Sequence, residues 1–151
     1  MVDFGVSIFP TDKAIDPMSV AIEAENRGFE SLWFPEHSHI PTSRVTPWGG
    51  RDGAPPLPEE YWRTHEQFVA LGMAGAVTKK IKLATGITLV AQRDPIWLAK
   101  QVATVDALTG GRLIFGIGYG WNKEELAHHG VGYTERRAVL RERILAMKEL
   151  W

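Results

Sequence analysis

Along this chain the spacing of apolar side chains switches repeatedly from a strand period to a helix period. From Lys82 to Val90 the residues are rich in β-branched side chains and are broken once, at Gly86. Asp94 then offers an N-cap oxygen, and Pro95 takes a first helical position, where a missing N–H costs nothing. Ile96, Ala99, Val102, Ala103 and Leu108 follow near helical spacing, Thr109-Gly110-Gly111 ends the helix, and Arg112 to Ile117 is an almost unbroken apolar strand. A strand apolar on both faces belongs in a parallel sheet covered by helices, so Ile81 to Trp121 predicts a strand–helix–strand unit. Its exit runs through Gly116, Gly118 and Gly120, and strand exits are where ligand chemistry is sought.

The same rhythm runs through the rest of the chain. Asp3 to Phe9 predicts a strand with Phe4, Val6 and Ile8 on one face. Asp16-Pro17 repeats the cap signal and opens a helix through Met18, Ala21, Ile22 and Ala24 that closes at Gly28. Glu30 to Pro35 is a second strand, ending at Glu36-His37. Thr64 and Gln67 read as a capping box for a helix from His65 to about Val77. After the fourth strand Asn122 caps a short helix ended by Gly130, and Thr134 opens a last one carrying Val139, Leu140, Ile144, Leu145 and Met147. Between them, residues 38–63 hold five prolines and three glycines together with Trp48, Tyr61 and Trp62. A connection of that length belongs to a functional lid or to a disordered segment.

Four βα units in series are half of a (β/α)8 TIM barrel, which takes about 250 residues. Left alone they expose the first and fourth strands as unpaired edges. The expectation is that residues 1–151 form the N-terminal half of a single barrel domain. A four-unit open α/β sheet is the alternative.

Composition narrows the function classes. Apolar residues make up 44% and charged residues 23%, as in ordinary globular proteins. Seventeen basic against eighteen acidic residues leave no basic stripe for nucleic acid and no polybasic block for a membrane surface. No segment is long and apolar enough to span a bilayer, and the first residues lack the marks of a signal peptide. The chain has no cysteine, which removes disulfides, thiolate nucleophiles and cysteine metal ligands. A cytoplasmic location and a small-molecule partner are expected.

Glu36-His37-Ser38-His39 lies at the end of the second strand, the rim where barrel active sites gather. His37 is the candidate proton donor or acceptor, with a neighbouring carboxylate to orient it. His37 and His39 would point the same way from an extended backbone, which raises a metal-dependent hydrolase as an alternative. No complementary ligand stands on the other strand ends, so no metal is assigned. His128 and His129 are helical neighbours and should diverge into solvent. Gly86 marks a bulge, a close backbone approach or a packing contact. Gly116-x-Gly118-x-Gly120 resembles a dinucleotide fingerprint, but Trp121 stands near where a third glycine is needed and no acidic ribose partner follows. The glycines still leave backbone free for a flat ligand. A non-catalytic truncated product is a further alternative.

FGVSIFP, ENRGFESLWFPEH and KLATGITLVAQRDPIWLAKQVATVDALTGGRLIFGIGYGWNKEE, in this order, resemble the luciferase-like monooxygenase superfamily, and within it the branch of deazaflavin (coenzyme F420)-dependent oxidoreductases. The resemblance implies a (β/α)8 barrel that binds coenzyme F420, or alternatively FMN, at the carboxyl ends of its strands and works as a homodimer when full length. It implies a hydride-transfer role on a small organic substrate, with an FMN-dependent monooxygenase as the alternative. It implies that His37 is the active-site histidine and that Glu36 contacts the ring system. Gly86 and Ile87 would form a bulge, often with a non-proline cis peptide, that supports the back of the ring, and Thr88 would lie beside it. Gly118, Tyr119, Gly120 and Asn122 would line the cofactor pocket. One position departs: sugar-phosphate dehydrogenases of this branch carry a catalytic glutamate where Trp121 stands, which argues against a glucose 6-phosphate substrate.

Overall fold

The computed structural model describes residues 2–151. In chain order these form β1 (Gly5–Ser7), α1 (Pro17–Asn26), β2 (Ser31–Phe34), α2 (Glu60–Arg63), α3 (Gln67–Val77), β3 (Lys82–Thr85), β4 (Thr88–Leu89), α4 (Pro95–Thr109), β5 (Leu113–Ile114), β6 (Ile117–Gly118), α5 (Lys123–His128) and α6 (Arg136–Leu150). The sheet is wholly parallel in the order β1-β2-β3-β5, so the first and fourth strands are its outer members among the described residues. β4 and β6 continue β3 and β5 as a second parallel pair, Thr88 opposite Ile117 and Leu89 opposite Gly118.

The third and fourth strands are therefore shorter than their apolar runs, because both break at one level. The Gly86–Ile87 peptide bond is cis. Opposite it, Gly116 approaches so closely that a Cβ would collide with the Thr85 carbonyl oxygen. The ladder is re-formed across the step: Thr85 Oγ1 donates to Gly116 O at 2.7 Å and Thr88 N to the same oxygen at 2.9 Å. Two positions without a side chain let the paired strands turn together.

The core lies between the sheet and α1, α3, α4 and α6, around Leu32, Phe34, Leu71, Leu83, Leu98 and Met147, each fully buried. Burial of a leucine-sized side chain stabilises by about 1.5–3 kcal/mol, so this cluster dominates the favourable side of folding. α1 and α4 start as their caps predict: Asp16 Oδ1 accepts from Met18 N and Ser19 N at 3.0 Å, Asp94 Oδ1 accepts from Trp97 N at 2.9 Å, and Gly110 closes α4 at φ 70°. The buried face of α4 is Leu98, Ala99, Val102 and Val105, whereas Ile96 and Leu108 are exposed. Phe4 is likewise exposed, beyond the end of a strand that covers only Gly5–Ser7.

Two other caps differ from the sequence reading. Glu66, not Thr64, caps α3, its carboxylate accepting from Val69 N at 2.7 Å. Gln67 is freed for the interior, where its amide donates to Phe34 O at 2.6 Å and accepts from Thr88 Oγ1 at 2.8 Å. At the last helix Thr134 caps nothing; α6 begins at Arg136 with no side-chain cap. The 38–63 connection is not structureless, holding a 3-10 turn at Trp48–Gly50 and the short helix α2. Among the described residues no helix is long and apolar enough to cross a membrane.

Candidate active site

Beyond the two strand breaks the carboxyl end of the sheet opens into a cleft of about 440 Å³. One wall is nearly bare backbone: Gly86 and Ile87 at the cis peptide, then Gly118, Tyr119 and Gly120 from the neighbouring strand exit. Gly86 sits against Trp33, whose Cβ and ring would be 3.4 Å from an added Cβ. At Gly118 a Cβ would run into the Ile87 side chain, and Gly120 needs φ 80°, a backbone state that costs glycine least. Thr88 and Asn122 stand behind this wall, not on it. Both are fully buried, Thr88 bonded to Gln67 and Asn122 Oδ1 accepting from Glu125 N at 3.3 Å as the cap of α5.

His37 projects from the end of β2 into the same cleft. Its Nδ1 is 2.8 Å from Glu125 Oε2, with the two side chains 6% and 1% exposed. Glu125 Oε1 accepts from Ser38 N at 3.0 Å. Burial opposes ionisation of Glu125, but the hydrogen bond and charge of His37, with the Ser38 N–H, hold its carboxyl below the usual range. An acceptor fixed on Nδ1 orients the ring and leaves Nε2 as the working atom. Nε2 makes no hydrogen bond among the described residues.

Glu36 does not orient His37. Its carboxylate turns to Arg93, whose Nε donates at 2.6 Å, and to Leu89 N at 2.5 Å. Arg93 loses hydration by burial, yet Glu36 and Glu66 raise its basicity above the ordinary value. Glu36 thus pins the segment after β4 to the end of β2 while lining the cleft with its remaining surface. Glu125 lies 88 positions from His37 and passed unmarked in the sequence, where KEEL after an N-cap reads as an ordinary acidic first turn of a helix. Its neighbour Glu124 does other work, accepting from Val45 N and Thr46 N at 3.1 Å and tying the long loop down.

His128 and His129 are both exposed, as expected of helical neighbours, and each also has a partner. His128 Nδ1 is 2.8 Å from His39 Nε2, and His129 Nε2 is 2.7 Å from Ser38 Oγ, which also lies 2.9 Å from His39 Nδ1. Burial, with His39 and His128 nearby, pushes the His129 pKa down against the pull of Glu125. His37 and His39 are drawn to different partners, and no group of three or more metal-binding side chains occurs among the described residues. Over the cleft, the Tyr61 ring lies 5.2 Å from His37 and 4.8 Å from Phe9, and Trp121 meets His37 edge-on at 5.8 Å. Exposed ion pairs Lys13–Glu59 and Arg63–Asp12, at 2.8 and 2.7 Å, hold α2 in place.

Known proteins share this arrangement of chain and fold. The family model for luciferase-like monooxygenases matches residues 14–151. The protein Rv0953c of Mycobacterium tuberculosis is 43% identical over 148 residues, covering 98% of this chain and 52% of the relative. An F420-dependent glucose-6-phosphate dehydrogenase of Kineococcus radiotolerans is 33% identical over 137 residues, 87% of this chain and 35% of that protein. Among solved structures, the monooxygenase RslO1 from Streptomyces bottropensis overlays with a TM-score of 0.78 at 25% identity, over 99% of this chain and 43% of its own. The chain spans about half the length of these mycobacterial relatives. Its parallel strands and covering helices are βα units of a TIM-barrel fold. With the family model spanning all but the first thirteen residues, this chain belongs to the luciferase-like monooxygenase family.

Proposed function

We propose that this chain serves a deazaflavin (coenzyme F420)-dependent oxidoreductase, in which it holds the cofactor ring and supplies the proton-transfer group. The observation that carries the reading is the juxtaposition of a glycine-rich wall at Gly86, Ile87, Gly118 and Gly120 with an oriented, buried His37–Glu125 pair across one cleft. A flat ring fits such a wall because only the Ile87 and Tyr119 side chains interrupt its backbone. When bound, the deazaflavin supplies or accepts a hydride.

The chain's own work is positioning and proton management. Gly86 and Ile87 back the ring, and the Gly118–Gly120 exit borders it. Glu125 fixes the ring of His37 so that Nε2 faces the substrate, donating a proton to a forming alkoxide or taking one from an alcohol. Tyr61 and the loop that carries it cover His37 and limit water. The F420-dependent relative from Kineococcus radiotolerans supports the choice of cofactor. An FMN-dependent monooxygenase is the second reading, favoured by the overlay on the RslO1 monooxygenase.

Titration with each cofactor separates the two readings. Saturable deazaflavin binding without FMN binding is expected, and the reverse result overturns the choice. In the deazaflavin-loaded protein His37→Ala should keep cofactor affinity and lose turnover by about 100-fold or more, the usual worth of a positioned general acid. Unchanged turnover would sink the role of His37.

A further inference from the structure

Three groups from the exit of β2 meet the Glu125 carboxylate. His37 Nδ1 lies 2.8 Å from Oε2, while Oε1 accepts from Ser38 N at 3.0 Å and from Ser38 Oγ at 3.3 Å. Ser38 Oγ in turn stands 2.9 Å from His39 Nδ1 and 2.7 Å from His129 Nε2, and His39 Nε2 is 2.8 Å from His128 Nδ1. Four histidines, one serine and one carboxylate are thus linked without a break. Of these histidines only His37 lines the cleft; Ser38 and His129 line a separate hollow of about 760 Å³.

The carboxylate fixes the direction of every bond in this chain. An ionised carboxylate only accepts, so the Ser38 hydroxyl and His37 Nδ1 both donate to Glu125. A hydroxyl has one hydrogen. With that hydrogen on Glu125, His39 Nδ1 and His129 Nε2 must carry their own and donate to the two lone pairs of Ser38 Oγ. Neutral His39 then accepts at Nε2, and His128 supplies the hydrogen from Nδ1. No outer ring needs a second proton, and burial, with His39, His128 and Arg143 nearby, favours the neutral form of His129. All five side-chain bonds point to one anion, and aligned donors polarise one another.

The charges on the surrounding elements leave this alignment standing. Arg143 of α6 donates to Val90 O, Ala91 O and Arg93 O. Arg93 is paired with Glu36 and Glu66, and Glu124 accepts from Val45 N and Thr46 N. From the long loop Arg44 lies over Trp121 at 5.9 Å, and Tyr61 covers His37.

We propose that Ser38 is a positioning residue for the His37–Glu125 pair, its hydroxyl aimed at Glu125 by His39 and His129. The inference rests on the reading of His37 as the proton-transfer group. Two bonds from Ser38 hold Oε1, which leaves Oε2 one place to stand and His37 Nδ1–H one direction to point. Nε2 then keeps the direction that proton transfer to or from a substrate oxygen requires.

NMR of the protein labelled at carboxyl carbons and imidazole nitrogens tests this without cofactor or turnover. Signals are assigned by their loss in Glu125→Gln and His37→Gln. In Ser38→Ala the Glu125 carboxyl, with one donor fewer, should titrate about half a pH unit higher than in the wild type, and the His37 Nδ1–H signal should broaden. His129→Leu should move the Glu125 midpoint the same way but less, whereas His129→Gln, which keeps an N–H donor, should leave it in place. Combined with Ser38→Ala, His129→Leu should add nothing, because it acts through the hydroxyl. The two His129 variants, at an exposed helix end, decide the matter should Ser38→Ala fail to fold by circular dichroism. An unchanged or lower Glu125 midpoint in Ser38→Ala, or equal behaviour of His129→Leu and His129→Gln, would overturn the proposal. In the deazaflavin-loaded protein Ser38→Ala should lower kcat about tenfold at unchanged KM. Full turnover in His37→Ala removes the proton-transfer reading, whereas wild-type kcat in Ser38→Ala beside an inactive His37→Ala removes the positioning role, so the two failures are distinguishable.

Discussion

The two ends of the parallel sheet are built to opposite rules. At the amino end the Arg112 guanidinium donates to Gly75 O, Thr78 O, Thr78 Oγ1, Ile81 O and Thr109 O at 2.8–3.1 Å. Beside it Glu25 accepts from the N–H groups of Lys79, Lys80 and Ile81 at 2.9, 2.6 and 2.9 Å. Polar groups there find partners within the chain. At the carboxyl end His37 Nε2 makes no hydrogen bond among the described residues, and the cleft wall is built around Gly86, Gly118 and Gly120. One end ties its polar groups into the sheet, and the other leaves His37 Nε2 open beside a glycine-rich wall. That division matches the general assignment of stability and chemistry to opposite faces of βα barrels.

The difference can be broken from either side. Arg112→Met should give the largest loss of stability, about 4 kcal/mol, since several buried carbonyls lose their donor at once. Urea denaturation reads this, and deazaflavin affinity of the folded fraction should be unchanged; a loss below about 1 kcal/mol would mean that Arg112 does not anchor the amino end. Glu125→Gln should cost less, about 1.5–3 kcal/mol for a hydrogen bond to a charged group, and should strike function as well by releasing the His37 ring. Its pH dependence has a defined sign. The Glu125 carboxyl ionises below its usual value in the folded protein, so its stabilisation is present above the unfolded value of 4.5 and is lost as pH falls through the lower folded value. The wild-type chain should therefore lose urea resistance on the acid side more steeply than Glu125→Gln, and parallel curves would remove the ionised Glu125 from the account. Lys13→Ala should have the smallest effect, with no measurable change in denaturation midpoint, because the Lys13–Glu59 pair is exposed and screened.

The places where sequence reasoning went astray cluster at the carboxyl end. Gln67 reads as a capping-box partner, yet its amide is needed inside, between Phe34 O and Thr88 Oγ1, so Glu66 caps the helix instead. Glu36 reads as the partner of its chain neighbour His37, but adjacent residues of an extended segment face opposite sides, and Arg93 draws Glu36 away. Glu125 reads as part of an ordinary acidic first turn and instead meets His37, while His128 and His129, exposed as expected, also bond to His39 and Ser38. A local rule overridden at a site is what function demands of a fold. Along α1 and α4 the cap residues and Gly110 agree with their local signals, whereas of the apolar positions read there Ala21, Ala24, Ala99 and Val102 are buried and Met18, Ile22, Ile96, Ala103 and Leu108 are exposed.

Short-range physics was enough to determine much of this protein. Cap residues, helical spacing and apolar strand runs specify βα units in series, because each depends on side chains within a few positions of one another. The same signals identify the strand exits and the glycines of the cleft wall. Which carboxylate meets His37, how Gly116 lets two strands bend together, and which rings gather above the cleft depend on residues brought together from 24 to 88 positions apart. Those contacts carry no local signature in the chain, and only the folded sheet, by bringing its loops to one rim, decides them.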